Sequence, residues 1–121
     1  MPNLNAALLC AQLEQLDGFI ENKRELAQSY QSLFSDTEIK FVMEPKGAKS
    51  NYWLCAILLK DKETRNEFLE FSNENGVMTR PVWTLMTKLE MFKQCLKGDL
   101  TNAEWLESRL VNIPSSVRIY E

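Results

Sequence analysis

A long helical segment near the N-terminus places the strongest limit on what this chain can fold into. Residues 4–34, "LNAALLCAQLEQLDGFIENKRELAQSYQSLF", contain no proline and few β-branched residues. Asn3, directly after Pro2, is typical of a helix N-cap. Apolar residues recur along the segment at helical spacing: Leu9, Leu13, Leu16 and Ile20. Because glycine inside a helix costs about 1 kcal/mol relative to alanine, Gly18 predicts a kink or a break there.

The first half of this segment is apolar on more than one face. A second apolar face, formed by Leu4, Ala7, Leu8 and Ala11, lies beside the stripe through Leu9 and Leu13. Residues 21–28, by contrast, keep a clear polar face. A helix that is apolar most of the way round belongs inside something larger than one layer. The asymmetry predicts that a further surface covers the first half.

The remaining residues, 36–121, alternate between strand and helix patterns. We predict strands over 38–43, 52–59 and 77–82, with 52–59 as the central buried strand. An amphipathic helix is expected within 60–76 with Gly76 as its C-cap, followed by short helices in "EMFKQCL" and "NAEWLESRL". The segment 111–119 is extended, and Pro114 marks an edge or an end. The fold class is α/β (α+β): a long helix or helix pair over 1–35 and a small sheet flanked by helices, forming one small domain.

Charge and residue content exclude several functions. A net charge of −3 without a basic stripe argues against nucleic-acid binding. No apolar run approaches the ~18 residues of a membrane span, and the N-terminus lacks a signal pattern, so we expect a cytoplasmic chain. The three cysteines, Cys10, Cys55 and Cys95, are far apart and histidine is absent, which argues against zinc and disulfides. The same absence removes Ser-His and Cys-His catalysis, so any chemistry must come from carboxylates, lysines, a cofactor or another chain. We assign no catalytic residue.

The chain resembles the C-terminal part of the DegT-type, PLP-dependent nucleotide-sugar aminotransferases. The resemblance runs through "MPNLNAALLCAQLEQL", "RELAQSYQSLF", "SNYWLCAILL", "RNEFLEFSNENGVMTRPVWTLMTKLEMF" and "NAEWLESRLVNIPSSV", and so covers almost the whole chain in order. "TRPVWTLM" and "VNIPSSVR" are most similar to the branch that aminates a UDP-linked 4-keto-6-deoxy sugar on routes to nonulosonic acids such as legionaminic acid.

This resemblance implies a small domain of a fold type I aminotransferase. The lysine that holds pyridoxal phosphate (PLP) would lie in an absent large domain, so the chain would be inactive alone. Independently of the resemblance, the two apolar faces of residues 4–20 predict a homodimer or larger homo-oligomer. The nine lysines here sit in charged turns, on solvated helix faces or in loops. Thr87, Glu90 and Leu9 stand where the family usually has histidine, proline and glycine, which points to a divergent specificity or a degenerated copy. The alternative is a stand-alone oligomerisation or regulatory module.

Four residues are candidates for the substrate site that the resemblance implies. Arg80 would pair with the diphosphate or a carboxylate, and its alternative is a surface ion pair. Trp83 would stack on a sugar or nucleobase, or else pack in a core or between subunits. Thr87 would bind a substrate hydroxyl, and Asn51 would face the active site, while both also suit ordinary loops.

The acidic residues fall at helical spacing on polar faces. The three groups are Glu63 with Glu67 and Glu70, Glu104 with Glu107, and Glu14 with Asp17. Such spacing is typical of a solvated helix surface. We therefore predict that none of these carboxylates belongs to a site.

Overall fold

The structure, a computed structural model, describes residues 2–118. Two α-helices begin the chain, α1 (Asn3–Glu14) and α2 (Leu16–Phe34), and are followed by strands β1 (Lys40–Phe41) and β2 (Cys55–Leu58). Helix α3 (Lys62–Glu74), strand β3 (Arg80–Pro81), two 3₁₀ turns (Met86–Lys88 and Glu90–Phe92), helix α4 (Thr101–Glu107) and strand β4 (Leu110–Ile113) complete the order. Met1 and Ile119, at the ends of two predicted elements, lie outside the described residues.

The four strands form one antiparallel sheet in the order β1-β2-β4-β3. Strand β2 is central, as its continuous apolar sequence predicts, and Ile57 pairs with Phe41 on one side and Val111 on the other. Pro81 lies in the edge strand β3, where its missing N–H costs no ladder hydrogen bond. Strand β4 is also central and ends directly before Pro114, so that proline marks an end. Helices with a small antiparallel sheet confirm the predicted α+β class.

The core lies between the sheet and the helices packed on it. Ile57, Val111 and Cys55 are its largest fully buried side chains, and Ala27 of α2 is fully buried against them. Phe68 and Leu69 of α3 pack partly buried on the same cluster. Asp61 caps α3 by accepting the Thr64 N–H at 2.8 Å. Gly76 follows the end of α3 with a φ of +78°, in the left-handed region that glycine favours.

The break in the long helical segment lies at Gln15, so its predicted position at Gly18 is wrong. Gln15 has a φ of −104° and a ψ of −1°, and its N–H donates to the Gln12 carbonyl at 3.3 Å. Gly18 lies inside α2, which packs on the core through Ala27. Because this packing outweighs a glycine cost of about 1 kcal/mol, the helix continues through Gly18. Asn3 is the first helical residue, and the N-cap position is Pro2, which makes no side-chain capping bond.

Helix α1 has no buried residue along its whole described length. Its leucines are exposed, including Leu4, Leu8 and Leu13. The apolar surface expected from the sequence is therefore present and uncovered by residues 2–118. Within the same residues, no helix is both long and apolar enough to cross a membrane.

Candidate functional site

A tight turn at residues 50–53 places one aromatic side chain in the core and the next one on the surface. Ser50 Oγ accepts the Tyr52 N–H at 3.0 Å, and Asn51 Oδ1 accepts the Trp53 N–H at 3.0 Å. Tyr52 has a φ of 46°, a left-handed conformation that a bulky residue rarely adopts. The Tyr52 side chain is buried, whereas Trp53 is 64% exposed. The turn therefore directs one aromatic ring inward and its neighbour outward.

An ion pair fixes this turn to helix α2. Arg24 donates from Nη2 to Glu44 Oε1 at 2.6 Å and from Nη1 to Glu44 Oε2 at 3.0 Å. Arg24 Nη1 also donates to the Ser50 carbonyl at 2.6 Å, while the Ser50 N–H donates to Glu44 Oε2 at 2.5 Å. The hydrogen bonds from Arg24 and then from Ser50 lower the pKa of Glu44 to about 2. Because Ser50 precedes Asn51, the ion pair holds the backbone on which Asn51 and Trp53 sit.

Asn51 lies on an open groove of about 770 Å³ between α2 and this loop. The other lining residues are Asp17, Ile20, Glu21, Arg24, Glu25, Gln28, Lys49 and Ser50. Three carboxylates face two cations there, and Arg24 is already paired with Glu44. Lys49 is the one cation of the groove without an ion pair among residues 2–118, and three carboxylates line the groove with it, which disfavours a diphosphate there.

Arg80 extends from a backbone that buried hydroxyl groups hold in place. The Thr79 and Ser72 hydroxyls lie 2.6 Å apart and are both buried. Asn73 Nδ2 donates to the Thr79 carbonyl at 3.1 Å. The Arg80 side chain is exposed, and its Nη2 lies 3.2 Å from Met78 Sδ. No ion pair joins Arg80 to another side chain of residues 2–118, so the predicted surface ion pair is absent there and its charge is open to solvent.

Glu107 fastens the following segment to α4, so its assignment to the solvated surface is wrong. Glu107 Oε1 accepts the Leu85 N–H at 3.2 Å, and Oε2 forms an ion pair with Lys88 Nζ. The side chain is only 15% exposed. Hydrogen bonding from Lys88 is the main cause of the lowered pKa of Glu107. The spacing of residues along one helix could not show this role, because it indicates only neighbours within that helix, and Leu85 and Lys88 lie about twenty residues earlier in the chain.

Thr87 lies within the 3₁₀ turn that Glu107 holds, and it is partly buried. Its hydroxyl has no hydrogen-bond partner within residues 2–118. The group is thus free to bind a ligand, but nothing in the described part of the chain aims it at one.

Two of the predicted site residues, Asn51 and Trp83, each contact Trp53: Asn51 Oδ1 accepts the Trp53 backbone N–H, and the Trp83 ring lies against the Trp53 ring. The ring centroids of Trp53 and Trp83 lie 6.4 Å apart with an interplanar angle of 50°. No ion pair, hydrogen bond or ring contact among the described residues joins Arg80 or Thr87 to either indole. Sequence reasoning missed Trp53 because it assigned residues 52–59 to one buried strand, whereas β2 begins only at Cys55.

The residues present do not fit a cofactor or metal of their own. No group of three or more His, Cys, Asp or Glu side chains within residues 2–118 could hold a metal ion. Eight of the nine lysines are exposed, and the ninth, Lys23, donates to the Ser115 carbonyl. A lysine that binds PLP covalently needs a sheltered setting that lowers its pKa. None of the nine lysines is buried.

Comparison with known proteins gives a consistent family. The model of the DegT/DnrJ/EryC1/StrS aminotransferase family matches residues 1–121. The chain is 33% identical over 115 residues to GDP-perosamine synthase of Escherichia coli O157:H7, covering 95% of this chain and 31% of that protein. It is 30% identical over 111 residues to GDP-4-keto-6-deoxy-D-mannose 3-dehydratase of Yersinia pseudotuberculosis, covering 86% and 28%.

A solved structure shares the fold at low sequence identity. The crystal structure of a DegT DnrJ EryC1 StrS aminotransferase from Brucella abortus superposes with a TM-score of 0.83 at 21% identity. That superposition covers 96% of this chain and 31% of the solved one. The chain therefore spans about a third of the length of the proteins it matches.

Proposed function

We propose that this chain, which belongs to the DegT/DnrJ/EryC1/StrS aminotransferase family, is the small domain of a PLP-dependent transaminase that aminates a nucleotide-linked 4-keto-6-deoxy sugar. The pathway would be the biosynthesis of bacterial surface polysaccharides or nonulosonic acids. The observation that carries this proposal is the family match over the whole chain. Two relatives named for GDP-linked sugars support the substrate class, while the motifs "TRPVWTLM" and "VNIPSSVR" support the legionaminic-acid branch.

In this proposal the chain supplies one wall of the sugar-nucleotide site. The wall comprises Arg80, Trp83, Thr87 and Asn51. Arg80 would bind the diphosphate, because its guanidinium is exposed and its backbone is fixed by the buried Thr79. Trp83 would supply a ring face, and the free hydroxyl of Thr87 would bind the sugar. PLP and its lysine would come from a large domain outside the chain, since no lysine here fits that role.

The proposed division of labour predicts that the 121-residue chain is inactive by itself. Purified chain mixed with PLP, an amino donor and a 4-keto sugar nucleotide should give no aminated sugar. Borohydride reduction followed by mass spectrometry should find no stoichiometric PLP adduct on a single lysine. The longer protein that contains this chain, assayed in parallel, should give both. Amino transfer by the chain alone would contradict the domain assignment, and no transfer by the longer protein would contradict the transaminase.

The uncovered leucines of α1 favour a second candidate, an oligomerisation or regulatory module derived from this small domain. Burying a leucine side chain stabilises by roughly 1.5–3 kcal/mol relative to exposure. An apolar helix left in water therefore favours pairing with another copy. Under either candidate the chain would form a homo-oligomer. We place that homo-oligomer in the cytoplasm, where Cys10, Cys55 and Cys95 would stay free thiols. Neither involves nucleic acid or a membrane.

We expect the chain to self-associate through α1. Sedimentation velocity at increasing concentration should show a dimer or larger species. Leu8→Lys should raise the dissociation constant of this self-association at least 10-fold. The matched control is Leu33→Lys on α2, because Leu33 is 65% exposed and Leu8 is 62% exposed. A monomer at all concentrations, or equal effects of the two variants, would contradict the expectation.

A further inference from the structure

We infer that Trp53 and Trp83 together form a stacking platform for the nucleobase of the nucleotide sugar, with Asn51 at its edge. The inference rests on the proposed function and adds to it Trp53, a residue that neither the motif nor the comparisons single out. It also assigns the paired indoles to the base, not to the sugar ring.

The backbone that carries Trp53 is held before any ligand arrives. Its N–H is bound by Asn51 Oδ1, and the preceding Tyr52 is anchored in the core. Arg24 and Glu44 fix Ser50, two residues before Tyr52. A non-glycine residue at positive φ is a strained conformation that persists only where its surroundings determine it, and such positions cluster at functional sites.

The backbone that carries Trp83 is held on both sides as well. Pro81 precedes it in strand β3, which pairs with β4. Leu85 follows it and donates its N–H to Glu107 on α4. Both indoles are thus mounted on fixed supports, which reduces the ordering cost of binding a ligand.

The two rings are close enough to support one another and open enough to accept a third. Their centroid separation of 6.4 Å falls in the range of attractive aromatic pairs. An angle of 50° makes the rings diverge, and Trp53 and Trp83 stay 64% and 78% exposed. Trp105 differs, since the Arg109 guanidinium lies 4.8 Å from its ring centroid and the side chain is 46% exposed. One face of Trp105 is therefore already occupied.

The chemistry around the platform suits a base. Flat aromatic rings stack on indole faces with little dependence on their identity. The Asn51 side-chain oxygen accepts a hydrogen bond from the Trp53 backbone N–H, and the Asn51 amide nitrogen has no hydrogen-bond partner within residues 2–118. That N–H₂ group can donate to a carbonyl oxygen of guanine or uracil. A sugar ring would require hydrogen bonds to several hydroxyls, whereas Asn51 is the only residue of 2–118 whose side chain hydrogen-bonds to Trp53 or Trp83.

The test uses the indole N–H signals of the ¹⁵N-labelled chain, which has three tryptophans. Each signal is assigned from its loss in Trp53→Phe, Trp83→Phe or Trp105→Phe. Titration with GMP or UMP should shift the signals of Trp53 and Trp83 and leave that of Trp105 in place. Ribose 5-phosphate, which has the phosphate and sugar without the base, should shift none. Trp53→Ala or Trp83→Ala should weaken nucleotide binding about 10-fold, whereas Trp105→Ala should not.

The inference would be overturned by no shift with either nucleotide, by an equal shift of the Trp105 signal, or by the same shifts with ribose 5-phosphate. Shifts of Trp53 and Trp83 on dilution alone would also overturn it, because they would place a second copy of the chain on the platform. No amino transfer is measured. Nucleotide binding with an inactive longer protein would therefore remove the transaminase proposal and leave the platform standing.

Discussion

Replacing Ile57 with alanine is expected to lower the free energy of unfolding by about 2–5 kcal/mol. Ile57 is fully buried at the centre of the sheet and pairs with residues on both neighbouring strands. Alanine removes three carbon atoms and leaves a cavity that Phe41 and Val111, held in strand register, cannot fill by moving. Urea unfolding followed by circular dichroism measures the change.

The matched control for this core substitution is Leu96→Ala. Leu96 is fully exposed, so its truncation removes a similar volume of side chain without leaving a cavity. We expect its effect to stay within about 0.5 kcal/mol. Equal losses in the two variants would mean that the Ile57 environment is not the core of the fold. A lowered free energy of unfolding in Ile57→Ala alone would show that packing at the β2–β4 pair stabilises the fold.

If this chain is the small domain of a longer transaminase, as proposed, replacing Arg80 with alanine in that protein is expected to raise the KM for the sugar nucleotide about 10-fold or more. The physical reason is the loss of a charged hydrogen bond worth roughly 1.5–3 kcal/mol to the diphosphate. The half-reaction with the amino donor should stay nearly unchanged, because that donor carries no nucleotide. Single-turnover measurements of the two half-reactions separate these effects.

Arg80→Lys provides the conservative variant. Lysine keeps the charge and loses the planar fork that binds two oxygens at once, so its KM should lie between those of the wild type and Arg80→Ala. If the donor half-reaction fell as much as the sugar half-reaction, Arg80 would support the fold or the cofactor. The proposed placement of the diphosphate would then be wrong.

The sequence predicts the outline of this fold because its strongest patterns are local. The apolar run that contains β2 has no polar face, so only a central position suits it, and the helical segment before residue 35 lacks proline. The helix break was misplaced for a different reason. Glycine propensity at Gly18 is a local term, whereas the packing of Ala27 on the sheet is a tertiary one, and the tertiary term decides.

The candidate site is less visible in the sequence because its geometry depends on contacts between distant residues. Trp83 stands out beside Arg80 and Pro81, and the motif identifies it as a candidate. Trp53 adjoins an apolar run and was counted with it, since nothing local indicates that Tyr52 takes a positive φ. Glu107 likewise gains its partner Lys88 only when α4 packs against the 3₁₀ turn. Roles that depend on turns and long-range bonds require coordinates.

The inward ring of Tyr52 has an evolutionary consequence. Substitutions at this position act on two properties at once, because the same residue fills the core and sets the direction of Trp53. A smaller side chain would relax the backbone and free the neighbouring indole, and a glycine would suit the dihedral while emptying the interior. Few substitutions at residue 52 would therefore be tolerated during the evolution of a new specificity. Changes of specificity are then expected at positions outside the core such as Thr87, which is only partly buried, so a change of side chain leaves the interior intact.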